Sequence, residues 1–176
     1  MRLTRVTLVA GAALALGLTA AAAGPARAAQ ADQAFVEEAA SGGRMEVELG
    51  RYATQHAKDP QVKKFGQRMV DDHGKVNAEL SRVAQKESIT LPAKLAEKHE
   101  ESVTRLTALK GAEFDREYMK AMVDDHEEDV AKFRDVAQSA GTPQVKAFAQ
   151  KTLPTLEEHL RMAKDIQARM EKRAAR

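Results

Sequence analysis

The sequence contains no cysteine and no tryptophan, and aromatic residues make up only 4% of its 176 positions. Without cysteine the chain forms no disulfide, is not acylated on a cysteine, and has no thiolate for catalysis or metal binding. It also has no nucleophile triad and no glycine-rich phosphate loop. Stability must therefore come from packing, and the common nucleophilic and phosphate-binding enzyme classes are excluded.

One long apolar run is present, and it lies at the N-terminus. Two arginines precede the run 6–23, which is almost wholly Ala, Leu, Gly and Val, and a small-x-small pattern follows at 26–28. This order is typical of a cleaved secretory signal, so we predict a signal at 1–28 and a mature domain at 29–176. About 18 apolar residues could instead anchor an uncleaved chain, but alanine and glycine insert poorly. We expect export to the periplasm or cell envelope, with no stable membrane insertion after cleavage.

The basic excess of the chain belongs largely to this signal. Of the 28 basic residues, the signal contains Arg2, Arg5 and Arg27, which leaves 25 basic against 26 acidic residues in the mature domain. A near-neutral domain with few aromatics offers no basic aromatic surface of the kind that binds nucleic acid. We therefore expect no nucleic-acid partner, while the oligomeric state does not follow from the sequence.

From residue 31 onward, apolar residues recur every three or four positions, which is the period of helices buried on one face. Turn signals predict four long helices at about 31–57, 60–86, 113–140 and 143–171, and a short extra connecting helix that ends near Leu109. We therefore predict an all-α fold, an up-and-down four-helix bundle. In the helix predicted at 60–86 the core face is Val62, Phe65, Met69, His73, Val76, Leu80 and Val83. In the helix predicted at 113–140 it is Phe114, Tyr118, Met122, His126, Val130, Phe133 and Ala137.

Two features interrupt or repeat this helical pattern. Gly42-Gly43 predicts a kink or a close backbone approach, and Pro154 predicts a kink in the last helix.

The segment Met69-Val70-Asp71-Asp72-His73 recurs unchanged at 122–126, and residues 62–67 resemble 145–150. These repeats imply two helix pairs of similar design.

Four polar residues lie near the middle of predicted apolar faces: Glu46, His73, His126 and His159. Antiparallel helices of similar length bring such midpoints to one level, and an unpartnered buried carboxylate is costly, so we predict that the four face one another. One Glu and three neutral imidazoles suit a single transition-metal ion, and iron, zinc, copper and manganese all fit by ligand type. The alternative is a buried hydrogen-bonded polar cluster that fixes helix register without metal.

Other polar residues are assigned by their surroundings. Asp72 and Asp125 each precede a core histidine, and they either orient an imidazole or are ordinary solvated charges. The Tyr118 hydroxyl is expected to reach a buried acceptor. His56 and His99 lie in charged surroundings, and we predict both to be surface residues.

Several motifs of the mature chain resemble the DUF4142 family. They are Glu46-Val47-Glu48-Leu49-Gly50, the stretch 65–73, the stretch 111–126 and the stretch 153–159. The family consists of exported bacterial proteins, often labelled outer membrane proteins, and is grouped with the ferritin-like folds. The resemblance covers about residues 31–170 and implies a ferritin-like bundle, but it implies no particular activity.

The sequence departs from a di-iron site of the ferritin-like kind. Such a site requires Glu-x-x-His pairs, but the residues three positions before the core histidines are Val70, Val123 and Leu156. A di-iron oxidase or iron store is therefore not expected, and no catalytic residue is identified. Two functions follow: an exported bundle that binds one transition-metal ion, or a non-catalytic structural or interaction protein of the cell envelope.

We predict that mass spectrometry of the exported protein finds its N-terminus at Ala29 or Gln30. Both positions follow from the cleavage pattern, because the small residues of 26–28 are followed by another alanine. An intact Met1 terminus in the membrane fraction would instead identify an uncleaved anchor.

Overall fold

Five α-helices make up the computed structural model, which describes residues 25–175. Their bounds are α1 Pro25–His56, α2 Pro60–Lys86, α3 Glu97–Thr107, α4 Gly111–Ser139 and α5 Pro143–Ala174. No strand occurs among the described residues, and the predicted all-α bundle with a short connecting helix is confirmed. The predicted signal lies outside them except for 25–28, where α1 begins, so its cleavage stays a prediction. In the part of the chain that is described, no helix is both long and apolar enough to cross a bilayer.

The starts of α2 and α5 follow from the same local sequence logic. Asp59 caps α2 by accepting the backbone N–H two residues further on at 2.7 Å. Thr142 caps α5 by accepting the N–H three residues further on at 3.4 Å. Pro60 and Pro143 occupy the first helical position, where a missing N–H costs nothing. These caps end the short turns that join α1 to α2 and α4 to α5, so the chain forms two helical hairpins.

A layer of polar side chains divides the apolar core into two clusters. Leu49, Phe65 and Phe114 belong to one cluster, and Phe35 and Phe148 belong to the other. On each long helix one buried polar residue lies at the boundary between the two clusters. All seven predicted core positions of α4 are buried, and among those of α2 Val76 is the one that is partly exposed. The bundle therefore presents its polar layer at mid-height, shielded on both sides.

Helices α1 and α2 approach each other closely at two glycines. A Cβ on Gly50 would lie 2.7 Å from the carbonyl oxygen of Gly66, and a Cβ on Gly66 would lie 2.8 Å from the Ala53 Cβ. Helix α1 also runs unbroken through Gly42-Gly43, and the Asn77 side chain occupies the space next to Gly43. These glycines therefore allow neighbouring groups to lie close to the α1 and α2 backbones. Helix α5 likewise continues through Pro154.

Each hairpin turn is capped by a carboxylate from the other hairpin. Asp115 accepts the N–H groups of residues 58 and 59, at 3.0 and 2.7 Å, in the α1–α2 turn. Asp32 accepts those of residues 141 and 142, at 3.0 and 2.8 Å, in the α4–α5 turn. Both aspartates are buried. The two hairpins are therefore tied together at both ends of the bundle.

We predict that Gly66→Ala destabilises the protein by about 1–3 kcal/mol, because the added methyl group forces α1 and α2 apart. Gly74→Ala on the same helix is the control, since nothing lies within 4 Å of its Cβ position. The control should gain about 0.5–1 kcal/mol from helix propensity. Chemical denaturation of both variants measures the difference, and an equal gain in both would contradict the close approach.

Candidate metal centre

The four long helices each contribute one predicted residue to the polar layer. Glu46, His73, His126 and His159 come from α1, α2, α4 and α5, and none is more than 2% exposed. Glu46 Oε2 lies 2.8 Å from His73 Nδ1, and Glu46 Oε1 lies 3.3 Å from His126 Nε2. The three imidazole centroids form a near-equilateral triangle with sides of 5.7, 5.2 and 5.4 Å. The structure therefore brings all four together.

The protonation state of His126 follows from its backbone contact. Its Nδ1 lies 2.9 Å from the carbonyl oxygen of Met122, and a carbonyl only accepts, so Nδ1 carries the hydrogen. Burial, with the nearby imidazoles of His73 and His159, holds the pKa of His126 well below its usual 6.5. The ring is neutral at pH 7, and its Nε2 presents a lone pair to the layer.

Two charged side chains, Asp72 and Arg68, connect the ring of His159 to the surface and fix its orientation. Its Nε2 donates to Asp72 Oδ2 at 3.1 Å, and Arg68 forms a salt bridge with the same carboxylate. Partial burial acts to raise the pKa of Asp72, but the bonds from Arg68 and His159 outweigh it and lower that pKa. Burial, with the nearby His73, lowers the pKa of His159 to about 4. The neutral ring therefore presents the lone pair of Nδ1.

Glu46 and His73 form the closest pair of the layer. Despite their 2.8 Å contact, neither Glu46 oxygen makes a hydrogen bond within residues 25–175. Burial, followed by the charge of Asp129, raises the pKa of Glu46 well above 4.5, and burial lowers the pKa of His73 to about 4. A neutral carboxyl group next to a neutral imidazole is the state that this environment favours.

The layer leaves three ring nitrogens without partners. His73 Nε2, His126 Nε2 and His159 Nδ1 are buried and have no hydrogen bond among the described residues. One ligand atom of each histidine lies within 4.8 Å of those of the other two. An unsatisfied buried polar atom costs about 1–3 kcal/mol, so several in one place call for a physical explanation.

The contact between Glu46 and His126 supplies that explanation. If Glu46 is ionised, an oxygen lone pair and a nitrogen lone pair face each other at 3.3 Å, an arrangement that repels unless a cation lies between them. That cation is a proton or a metal ion. Three imidazole nitrogens and one carboxylate form a donor set that transition metals accept. Tetrahedral coordination at about 2.1 Å places the ligand atoms roughly 3.4 Å apart. The three histidines form one group of ligand atoms within 4.8 Å of one another, and Glu46 joins His126 in the other.

Two carboxylates near the layer were not included in the predicted site. Asp125 forms a second group with Glu46 and His126, whose ligand atoms all lie within 4.8 Å of one another. Burial, followed by the charge of Glu46, raises the pKa of Asp125 well above 3.8. Burial and Asp125 together raise the pKa of Asp129 to about 7. The four-residue spacing of Asp125 and Asp129 places both on one face of α4. This spacing was the signal in the sequence that the two carboxylates lie together near the layer.

Other assignments from the sequence have mixed outcomes. His56 is exposed, as predicted. The prediction for His99 is wrong: it is only 5% exposed, because α3 packs on α1 and the Ser41 hydroxyl lies 2.7 Å from His99 Nδ1. The Tyr118 hydroxyl has no hydrogen-bond partner among the described residues. Asp72 does orient an imidazole, but that of His159 on another helix rather than its neighbour.

The fold and the polar layer define a ferritin-like helical bundle with a buried cluster of three histidines and one glutamate. The chain belongs to the DUF4142 family, a domain of unknown function, which matches residues 17–166. No curated protein is similar to it in sequence.

Two solved structures have a similar fold. A DUF305 fragment from Deinococcus radiodurans superposes with a TM-score of 0.69 at 14% identity, covering 79% of this chain and 96% of that one. A DUF305 protein from Streptomyces coelicolor, described as a candidate secreted protein, gives a TM-score of 0.67 at 13% identity and covers 82% and 96%. At these identities the likeness extends to the fold alone.

We predict that Glu46→Gln changes the unfolding free energy of the metal-free protein by less than about 1 kcal/mol at about pH 6, because a neutral amide replaces a neutral carboxyl group. Infrared difference spectra should show the loss of one protonated-carboxyl band. Glu48→Gln, an exposed change on the same helix, should leave that band intact. Destabilisation by more than about 3 kcal/mol without loss of the band would mean that Glu46 is ionised in an ion pair.

Proposed function

We propose that this protein is an exported, non-enzymatic metal-binding bundle that holds one transition-metal ion in its polar layer. His73, His126 and His159 are the nitrogen ligands, and Glu46 supplies the carboxylate. The observation that carries the proposal is the set of three buried ring nitrogens that make no hydrogen bond to any described residue, with a carboxyl oxygen facing one of them at 3.3 Å. A single cation would satisfy all of these atoms together.

The surroundings of each ring support this assignment. Metal-bound imidazoles usually donate their second N–H to a carboxylate or a carbonyl, which fixes ring orientation and raises ligand basicity. His126 donates to the Met122 carbonyl and His159 donates to Asp72. His73 turns its Nδ1 toward Glu46 Oε2. With Glu46 ionised around a bound metal, His73 Nδ1–H would donate to Glu46, so each ring would have one nitrogen held by the protein and one left for the metal.

The burial of the layer favours binding over catalysis. Side chains of the four residues are at most 3% exposed, so a bound ion would have no face open to a substrate. Because all three imidazoles are already neutral at pH 7, metal would compete mainly with the carboxyl proton of Glu46. A tightly enclosed ion fits a role in holding, storing or sensing the metal.

Export is part of the proposal. It rests on the signal pattern of residues 1–28 and gains support from the secreted character attributed to the Streptomyces coelicolor neighbour. The alternative role, a structural protein of the envelope with a metal-free polar cluster, predicts the same fold and the same export. Metal analysis separates the two.

We predict that the purified domain binds one equivalent of iron, zinc, copper or manganese and gains thermal stability from it. The gain reaches about 2.7 kcal/mol when free metal is 100 times the dissociation constant, because the ion binds only the native state. His73→Ala, His126→Ala and His159→Ala should each lower the metal content and abolish the metal-induced shift in Tm. Scoring the shift rather than Tm itself keeps a destabilised variant informative.

His56→Ala is the matched control, since His56 is an exposed histidine outside the layer. It should bind metal and respond to it like the wild type. Equal losses in His56→Ala and His126→Ala would identify nonspecific surface binding. A wild-type Tm that none of the four metals raises would favour the metal-free polar cluster.

A further inference from the structure

Helices α1 and α4 are antiparallel neighbours that meet along a sparse seam. The Phe35 ring packs against Phe133 at 4.9 Å near one end, and Glu46 lies beside His126 at mid-height. Each of these helices contacts its own hairpin partner far more extensively than it contacts the other. The backbones of α1 and α4 therefore lie further apart than those within either hairpin.

Acidic side chains follow this seam from the surface to the layer. Glu38 and Glu46 lie two helical turns apart on α1, and Asp125 and Asp129 lie one turn apart on α4. Asp129 interacts electrostatically with both Asp125 and Glu38. The innermost carboxylate, Glu46, is fully buried, makes no hydrogen bond within residues 25–175, and has a ligand atom within 4.8 Å of one of Asp125. We call this row, Glu38, Asp129, Asp125 and Glu46, the acidic seam.

The outer end of the acidic seam opens to solvent. A cleft of about 390 Å³ lies between α1 and α4, and both Glu38 and Lys132 line it. Lys132 Nζ lies 3.4 Å from Glu38 Oε1, and Lys98 pairs with the same oxygen. Glu38 thus lies at the mouth, where two exposed lysine side chains neutralise it.

Gly42 leaves the middle of the seam free of side chains on α1. It lies halfway between Glu38 and Glu46, and the nearest atom to its Cβ position is His99 Cε1, at 3.8 Å. Helix α3, which carries His99, contacts both α1 and α4 and so covers the seam from outside. Gly42 thus leaves α1 without a side chain beside the carboxylates, and the His99 imidazole packs over this position.

We propose that the acidic seam is the path by which a divalent cation travels between solvent and the histidine ligands. The inference rests on the proposed function, because it assigns the access path for that ion. Passage through either apolar cluster would strip the ion of water with nothing in exchange. The seam instead offers carboxylate oxygens at successive turns over about 12 Å of helix.

The test is the rate of Co²⁺ uptake by the metal-free mature protein, followed by visible absorption after rapid mixing, and the rate of release to a chelator. Gly42→Leu should slow both uptake and release by about tenfold or more, with one equivalent still bound at equilibrium. Gly74→Leu is the control, because its side chain enters open space. Asp129→Asn, which changes charge without changing size, should slow uptake in the same direction and does not depend on tolerance of a bulky residue.

The outcomes separate the path from the site. Wild-type rates of uptake and release in both Gly42→Leu and Asp129→Asn, with wild-type stoichiometry, would overturn the acidic seam while leaving the metal centre intact. A lower stoichiometry in Asp129→Asn would make Asp129 a ligand rather than a step on the path, and would also overturn it. Failure of the wild type to bind Co²⁺, or unchanged binding in His126→Ala, would refute the proposed function and the path with it.

Discussion

The structure depends on one constraint, the burial of Glu46 against His126. A carboxyl oxygen of Glu46 and a ring nitrogen without a hydrogen lie 3.3 Å apart in a fully buried layer, and their facing lone pairs repel unless a proton or a metal ion lies between them. A proton satisfies this requirement by keeping Glu46 neutral, and a metal ion satisfies it by taking both atoms as ligands. Much of the surrounding design follows from that requirement. The Met122 carbonyl and Asp72 set which nitrogen of His126 and of His159 is free, and the two apolar clusters enclose the layer from above and below.

Much of this arrangement could be predicted from the sequence, because helical periodicity reports directly which face is buried. The predicted bounds of α2 match the observed ones, and its histidine lies at the predicted depth. The convergence of Glu46 with the histidines followed from counting residues along antiparallel helices. The helix bounds and buried faces are properties local to one helix. The antiparallel arrangement of the helices then accounts for the convergence of the four polar residues.

What could not be predicted depends on contacts between distant parts of the chain. His99 lies in a short, highly charged helix, and its burial depends on Ser41, 58 residues earlier in the sequence. Asp32 and Asp115 look like ordinary first-turn charges, yet each is buried as the cap of a remote turn. The tautomer of His159 likewise depends on Asp72, which lies 87 residues earlier in the sequence. No local pattern encodes these partners.

The mutual capping of the two hairpins reveals an internal two-fold symmetry. Asp32 corresponds to Asp115 and Pro60 to Pro143 at the same separation of 83 residues, so the molecule is organised like a symmetric dimer of hairpins whose copies are joined through α3. The polar layer does not obey that symmetry. At the same separation His73 corresponds to Leu156, and His126 corresponds to Gly43. A dimer of either hairpin alone would therefore keep the capped turns but would lack the full set of four buried polar residues, which exists only because the two halves differ.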